Sequence, residues 1–228
     1  GPSQAVNVGG LLKLLAAARS RRVKRIVFSS SSAVYGDLSK STLSETDSTR
    51  PISPYGIQKL AGEHYLRVIG GHFGIETVSL RYFNVYGPRQ APGSQYAAVI
   101  PNFLALLLAG KAPVIYGDGK QTRDFIYVED VVAANMLAGE TRLLPSSGSE
   151  YNVGSGRATS LTELVQAAKE VTGAKIPARF LAPRSGDITH SCADAGRIRK
   201  ELGFEPAVSL HQGLLRTAAY LRGVIHPL

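Results

Sequence analysis

The sequence predicts an α/β protein built around a parallel sheet. Residues 23–28 and 77–83 form short, nearly continuous apolar runs, which are typical of strands buried on both faces. A helix predicted from about residue 55 to 73 lies between them, after a loop rich in Ser, Thr, Asp and Pro. The order strand, helix, strand indicates a βαβ unit and therefore parallel pairing.

The remaining elements follow from local patterns. Residues 5–19 carry apolar side chains at helical spacing ahead of the first strand. Ser160 and Glu163 form a capping box that opens a helix, which Gly173 can close. Further helices are predicted over residues 97–109, 129–137, 193–202 and 210–222, strands over 113–116, 125–128 and 179–181, and a tight turn at 117–119.

The composition is that of a globular protein. Of its 228 residues 44% are hydrophobic and 19% are charged, so the chain can bury a core. No run of about 18 apolar residues occurs, and a membrane span is therefore not expected. Cys192 is the only cysteine, which excludes an intrachain disulfide and favours a reducing cytoplasm.

The net charge of +9 raises the question of nucleic-acid binding. The densest basic cluster follows the first helix, where cations meet the negative end of the helix dipole. It comprises Arg19, Arg21, Arg22, Lys24 and Arg25. No zinc-ligand spacing, helix-turn-helix signature or basic-aromatic strand accompanies it, and the five histidines show no ligand spacing. We expect neither a nucleic-acid partner nor a metal site.

Tyr55 and Lys59 are the leading candidates for catalysis. Their four-residue spacing places both side chains on one face of the predicted helix. An ammonium beside a phenol lowers the phenol's pKa from its reference value of about 10, which would make Tyr55 a usable general base. Spacing alone also allows a surface tyrosine beside a solvated lysine. Serines at the end of the first strand favour catalysis, because ligands bind at the carboxyl edge of open α/β sheets.

Six segments occur together and in a fixed order. They are Ser-Ser-Ser-Ala-Val-Tyr-Gly at 30–36, Ser-Pro-Tyr-Gly-x-x-Lys at 53–59, Leu-Arg-Tyr-Phe-Asn-Val-Tyr-Gly-Pro-Arg at 80–89, Ile-Tyr-Gly-Asp-Gly-Lys-Gln-Thr-Arg-Asp-Phe at 115–125, Tyr-Asn-Val-Gly at 151–154 and Arg-Ser-Gly-Asp at 184–187. This pattern resembles the extended short-chain dehydrogenase/reductase superfamily and, within it, the NAD-dependent nucleotide-sugar epimerase/dehydratase family, in its UDP-glucose 4-epimerase-like form. The resemblance covers about residues 7–221.

The resemblance implies a partial Rossmann-like parallel sheet, of which only the C-terminal strands are present, with a small α/β substrate-binding lobe. Residues 1–90 and about 113–140 would form the truncated cofactor domain. Residues from about 91 to 112 and from 141 to 228 would form the interleaved nucleotide-sugar lobe. No glycine-rich loop of the G-x-G-x-x-G type occurs in the sequence, so the pyrophosphate of NAD has no expected contact in this chain.

The resemblance also assigns roles. Tyr55 would be the base, Lys59 would hold the nicotinamide ribose, and Ser31 would bond the reacting hydroxyl. The expected cofactor contacts are Asn7, Ser29, Ser30, Tyr55, Lys59, Tyr82 and Val85. The expected substrate contacts are Ser31, Asn84, Arg123, Arg184, Asp187 and Ser191, the last as a small gate residue that leaves room for an N-acetyl group. For Arg123, a local surface ion pair with Asp124 is the alternative.

Ser32 and Ala33 narrow the expected chemistry. Dehydratases and decarboxylases of the superfamily carry Asp-Glu or Ser-Glu at these two positions, immediately before Val-Tyr-Gly, and use the acidic residues for elimination beside a transient ketone. Their absence favours oxidation followed by reduction of the same carbon, which inverts a hexose hydroxyl. The predicted function is therefore an NAD-dependent 4-epimerase acting on a nucleotide sugar, most simply a UDP-hexose, with another nucleotide-sugar enzyme of the superfamily as the alternative enzyme.

The missing cofactor loop leaves three interpretations open. The chain is a truncated epimerase, or it associates with a partner or with itself and so covers the open sheet edge, or it is a nucleotide-sugar-binding remnant without catalysis. A homodimer is expected because members of this family commonly dimerise through paired helices.

Overall fold

The chain forms alternating helices and short strands over the residues that the structure, a computed structural model, describes: 2–38, 40–91, 99–141, 148–184, 186 and 188–225. The strands are β1 (Arg25–Ser31), β2 (Glu76–Tyr82), β3 (Asn84–Tyr86), β4 (Val114–Tyr116), β5 (Thr122–Tyr127), β6 (Ser149–Val153), β7 (Ala158–Ser160), β8 (Arg179–Leu181) and β9 (His190–Ser191). The helices are α1 (Pro2–Gln4), α2 (Leu11–Ser20), α3 (Pro54–Phe73), α4 (Val99–Leu108), α5 (Val128–Glu140), α6 (Leu161–Thr172), α7 (Gly196–Leu202) and α8 (Leu210–Ile225).

A parallel sheet in the order β1-β2-β6 lies beneath α3. Ser31, the last residue of β1, pairs with Tyr82, the last residue of β2, and Tyr82 pairs with Val153 of β6. The strand ends are therefore aligned at one edge of the sheet. Parallel pairing of β1 and β2, with α3 between them in the chain, confirms the predicted βαβ unit and the α/β class.

A second sheet continues from the first. β3 begins two residues after β2 ends and pairs in parallel with β5. β5 also pairs with β7, in antiparallel fashion, and with β9, so that Arg123 lies opposite Ser191. β4 and β8 form a separate parallel pair. The short step from β2 to β3 carries the chain directly from the Tyr82 edge into this second sheet.

Of the four apolar clusters among the described residues, three fix these helices and strands. Leu104, Leu164 and Leu214 bring α4, α6 and α8 together, and β2 and β6 pack with α5 and α7 through a second cluster. A third, smaller cluster joins Leu66 of α3 to Leu15 of α2. Full burial of each such leucine stabilises the fold by about 2 kcal/mol relative to exposure. The third cluster holds α3 in place beside β1.

The first predicted helix is more irregular than expected. Residues 2–20 form one helical segment, but residues 5–10 within it are π-helical. Only part of the expected apolar face is covered, since Leu11 and Leu15 are buried whereas Val6 and Leu14 are 71% and 52% exposed. π-Helical turns often occur at functional sites, and Asn7 lies on this one.

The predicted helix over residues 193–202 begins too early. α7 starts at Gly196, and in the preceding segment Ala193 forms a β-bridge with Leu43. The backbone N–H of Ala193 donates to the buried Asp124 carboxylate, 3.1 Å away, which ties this segment to β5. The predicted capping box is confirmed: Ser160 accepts from the backbone of Glu163 and the Glu163 side chain accepts from the backbone of Ser160.

The division of the chain into two interleaved domains stays a prediction. β6, which that division assigns to the nucleotide-sugar lobe, is hydrogen-bonded to β2 of the cofactor part. Within the described residues β1 is an end strand of its sheet and pairs with β2 alone. In the same part of the chain, no helix combines the length and the apolar character that crossing a membrane requires.

Candidate active site

The end of β1 and the first turns of α3 form the centre of the site. Lys59 donates from Nζ to the backbone carbonyl of Ser29, at 2.7 Å. The same Nζ lies 5.6 Å from the centre of the Tyr55 ring and 5.1 Å from that of Phe28. Burial lowers the pKa of Lys59 below its usual value. The structure thus brings the predicted pair together at the predicted sheet edge.

The start of α3 explains why Tyr55 lies there. Ser53 caps the helix by accepting the backbone N–H of Gly56 at 3.1 Å, and Pro54 occupies the first turn. A Cβ on Gly56 would lie 2.5 Å from the carbonyl oxygen of Ala33. Glycine is therefore required for the first turn to approach the segment that follows β1. Tyr55, next to this contact, is 47% exposed, which leaves its hydroxyl accessible to a ligand.

The three serines have different surroundings. Ser29 is exposed, and its Oγ is 3.2 Å from the hydroxyl of Tyr82. Ser30 is buried and donates to Glu63. Ser31 is half-buried, and its Oγ accepts the backbone N–H of Ala33 at 3.2 Å, which leaves its own proton to donate. Of the three, Ser31 is best placed to bond an incoming hydroxyl as both donor and acceptor.

Tyr82 and Asn7 approach this centre from two sides. Asn135 of α5 donates from Nδ2 to the Tyr82 hydroxyl at 2.8 Å, which fixes the ring beside Ser29. Asn7 donates to the Gln58 side chain at 2.8 Å and so contacts α3 between Tyr55 and Lys59. Val85, by contrast, packs against the apolar cluster between β2, β6 and α5.

A cavity of about 370 Å³ opens beside the second sheet. It has the size of a small-molecule site. Its lining comprises Asn84, Val99, Asn102, Phe103, Leu106, Val114, Tyr116, Gln121, Leu161 and two arginines, Arg123 and Arg184. Asn84 lies two residues beyond Tyr82, so the chain runs from the serine edge directly into the cavity wall.

Three of the predicted substrate residues, Asn84, Arg123 and Arg184, line this cavity, whereas Ser31 and Ser191 are not part of its lining. Arg184 places its guanidinium 3.7 Å from the centre of the Tyr116 ring, and Arg123 donates to the backbone carbonyl of Thr122 at 2.9 Å. Ser191 is buried and pairs with Arg123 across the β5–β9 ladder. Asp187 lies outside the described residues.

Asp124 is not half of a surface ion pair, which was the alternative for Arg123. Its side chain is fully buried and accepts backbone N–H groups of Ser155, Gly156 and Ala193 at 2.7 to 3.1 Å. It therefore holds together three segments beneath the cavity. Cys192 packs 3.9 Å from the same carboxylate, and burial raises the pKa of its thiol to about 12, so the thiol is a packed side chain and not a nucleophile.

Two features were missed from the sequence. Tyr116 and Gln121 line the cavity, and Gln121 donates from Nε2 to the Tyr116 carbonyl at 2.6 Å. Both residues lie in the segment 115–125 that the sequence analysis identified, at the end of β4 and just before β5, and this position could have indicated a role in the site. The second feature is the buried pair of Glu63 and Arg81, described below. In the described part of the chain, no three His, Cys, Asp or Glu side chains are arranged to hold a metal ion.

The fold and the site first define a class: an α/β protein with Ser, Tyr and Lys at the carboxyl end of a parallel sheet, beside a cavity that two arginines line. The family model that matches is that of the NAD dependent epimerase/dehydratase family, over residues 3–154. The chain belongs to this family, and its Rossmann-like α/β class follows from the structural neighbours below.

Several of the similar proteins are named as 4-epimerases of UDP sugars. A putative UDP-glucose 4-epimerase of Methanocaldococcus jannaschii is 37% identical over 218 residues, which are 95% of this chain and 69% of that protein. The structure of UDP-glucose 4-epimerase from Thermotoga maritima with UDP-glucose has a TM-score of 0.92 at 39% identity, over 97% of this chain and 71% of that one. The structure of UDP-N-acetylglucosamine 4-epimerase from Methanobrevibacter ruminantium with UDP-N-acetylmuramic acid has a TM-score of 0.92 at 38% identity, over 97% of this chain and 70% of that one.

Proposed function

We propose that this protein is an NAD-dependent 4-epimerase of UDP-hexoses. The observation that carries the proposal is the placement of Ser31, Tyr55 and Lys59 at the sheet edge that leads, through Tyr82 and Asn84, into the cavity of Arg123 and Arg184. Family membership and the 4-epimerase relatives support the same function.

The residues at the sheet edge fit the nicotinamide-ribose end of NAD. Hydroxyl and ammonium groups of Ser29, Tyr55 and Lys59 lie together there, and they suit the two hydroxyls of a ribose. Asn7 and Tyr82 would complete this end, with Ser30 and Val85 behind them. When bound, NAD supplies the chemistry of accepting a hydride from a sugar carbon and returning it.

The side chains divide the proton transfer between them. Tyr55 takes the proton of the C4 hydroxyl, and the Lys59 ammonium lies 5.6 Å from the centre of its ring. The Ser31 hydroxyl donates a hydrogen bond to the same sugar oxygen and so orients the sugar. Return of the proton from Tyr55 to that oxygen restores the hydroxyl, and the configuration would invert because the hydride would come back to the opposite face of C4.

The cavity would anchor the nucleotide while the sugar turns over. A guanidinium fork binds phosphate oxygens in bidentate fashion, which suits Arg123 and Arg184 for the diphosphate. Asn84 would contact the same group, and Asp187 is proposed for the nucleotide ribose. The small Ser191, buried against Arg123, would leave room for an N-acetyl group on the sugar.

Epimerisation is favoured over elimination by the residues after Ser31. Ser32 and Ala33 form a short 3-10 turn there, and neither supplies the acid or base that loss of water from the neighbouring carbon requires. The only chemistry assigned to the site is therefore removal and return of hydrogen at one carbon.

Replacing Tyr116 by alanine should weaken UDP binding about tenfold. Stacking of an aromatic ring on a base is worth about 1 to 3 kcal/mol, and Tyr116 also holds Arg184 through a cation–π contact. Isothermal calorimetry with UDP measures the change, and Tyr220→Ala on α8, away from the cavity lining, is the matched control. Equal dissociation constants for the wild type and Tyr116→Ala would show that UDP does not bind in this cavity.

We also propose a cytoplasmic homodimer. Tyr65 and Val68 are 39% and 69% exposed on α3, and Val6 is 71% exposed on the adjoining helical segment. Exposed apolar side chains on neighbouring helices suit a helix-to-helix contact between two copies. Sedimentation equilibrium should then give twice the 24.3 kDa mass of one chain.

A further inference from the structure

A buried ion pair lies directly behind the catalytic helix. Glu63 follows Lys59 by one turn of α3, and it is 1% exposed. Its Oε2 accepts from Nη2 of Arg81 at 2.7 Å, and its Oε1 accepts from Nε of Arg81 at 3.0 Å. Oε1 also accepts from the hydroxyl of Ser30 at 2.5 Å. One carboxylate therefore joins α3 to both β1 and β2.

The hydrogen bonds continue to the other side of the site. Arg81 donates from Nη1 to the Tyr35 hydroxyl at 3.0 Å, and that hydroxyl donates to Oδ1 of Asn152 at 2.6 Å. Asn152 then donates from Nδ2 to the carbonyl oxygens of Leu43 and Asp194, at 2.9 and 3.3 Å.

Those two carbonyls flank the segment that follows Ser191. Leu43 is bridged to Ala193 and exchanges backbone hydrogen bonds with Cys192 and Asp194. The continuous chain of hydrogen bonds thus runs from the Tyr55/Lys59 helix to the segment that follows Ser191.

The charges in this network are fixed by their surroundings. Burial alone would lower the pKa of Arg81, but its hydrogen bonds and ion pair with Glu63 more than offset that effect, so its pKa is raised. Burial raises the pKa of Tyr35 to about 12, so Tyr35 stays a neutral phenol. Only a neutral phenol can accept from Arg81 and donate to Asn152 at once.

We propose that Glu63 and Arg81 are positioning residues for the epimerisation site. Lys59 holds the Ser29 carbonyl, and Glu63, one turn later, holds the Ser30 hydroxyl. Two successive turns of α3 are thereby hydrogen-bonded to two successive residues of β1, and Ser31 is the next residue of that strand. Buried ion pairs contribute little net stability compared with apolar pairs of similar volume. The function of this pair is therefore to hold Ser31, Tyr55 and Lys59 in their relative positions.

The inference rests on the proposed function and is tested by separating stability from turnover. The double variant Glu63→Met/Arg81→Met replaces the ion pair by apolar side chains of similar length. We expect it to unfold cooperatively in urea and to stay folded in the assay, with a midpoint below that of the wild type because the buried Ser30 hydroxyl loses its acceptor. We expect kcat for UDP-galactose to fall about 100-fold, because small misplacements of reacting groups have effects of that order. The KM should stay within about twofold, since the nucleotide cavity is lined by other residues.

Two further variants keep the test decisive. Glu63→Gln retains the shape and an acceptor for Ser30 but lacks the charge, and it should also lower kcat more than it raises KM. Glu76→Gln is the matched control, because Glu76 pairs with Arg25 at the opposite end of the same two strands. Its kcat and KM should equal those of the wild type.

Hydrogen exchange provides a measurement that needs no turnover. In the double variant, peptides covering residues 29–34 and 53–60 should exchange faster, while peptides of α6 should exchange as in the wild type. Wild-type kcat together with wild-type exchange over residues 29–34 would overturn the inference. If the wild type itself fails to interconvert UDP-hexoses, the proposed function is wrong, and the exchange comparison alone then decides whether the pair positions the end of β1.

Discussion

Tyr55→Phe is expected to lower kcat for UDP-hexose epimerisation by about a hundredfold to ten-thousandfold, the range typical of a lost general base. The phenyl ring keeps the shape of the side chain but has no group that can take the C4 hydroxyl proton. Because Tyr55 is 47% exposed, the loss of its hydroxyl should leave the urea midpoint unchanged.

A coupled epimerase assay measures this effect, and Tyr65→Phe is its control. Tyr65 lies on the same helix, is 39% exposed, and likewise loses only a hydroxyl. Its kcat should equal that of the wild type. Full turnover by Tyr55→Phe would show that another group takes the proton.

Gly36→Ala should destabilise the fold by about 2 to 4 kcal/mol, the sum of a left-handed backbone penalty of about 1 kcal/mol and an overpacking penalty of about 1 to 3 kcal/mol. Gly36 has φ of 70°, and a Cβ there would lie 1.9 Å from the carbonyl oxygen of Arg50. That atom belongs to the backbone, and the neighbouring N–H of Arg50 is bonded to Tyr35. The clash therefore cannot be relieved by rotating a side chain, and the loop that leads to α3 must move.

Gly74→Ala separates the two causes. Gly74 caps the end of α3 with φ of 66°, and a Cβ there has no atom within 4 Å. Its replacement should cost only the left-handed penalty, about 1 kcal/mol. Urea unfolding of both variants gives the difference in their free energies of unfolding. Equal losses of free energy for the two variants would contradict the steric explanation for Gly36.

Much of the site was predictable because its residues follow strands in recognisable segments. The spacing of Tyr55 and Lys59 and the serines at the end of β1 predicted that they lie at one sheet edge, and the structure brings Lys59 into contact with Ser29. Arg123 and Arg184, 61 positions apart in the sequence, were assigned to one cavity by resemblance, and both line it.

The network around Glu63 could not be predicted in the same way. A glutamate on an amphipathic helix is normally a solvated side chain, and only the packing of α3 on β1 and β2 shows that Glu63 is buried against Arg81. β6, β7 and β9 were missed for a related reason. They have two to five residues, several of them polar, and tertiary pairing rather than apolar periodicity holds them in place.

The most direct measurement of the central claim is the conversion of UDP-galactose with NAD in deuterated water, followed by proton NMR. The proposed function predicts that UDP-glucose forms, that the same mixture is reached from UDP-glucose, and that the hydrogen at C4 of the product comes from the substrate and not from the solvent. Deuterium at C4, a dehydrated sugar, or no conversion at all would contradict it.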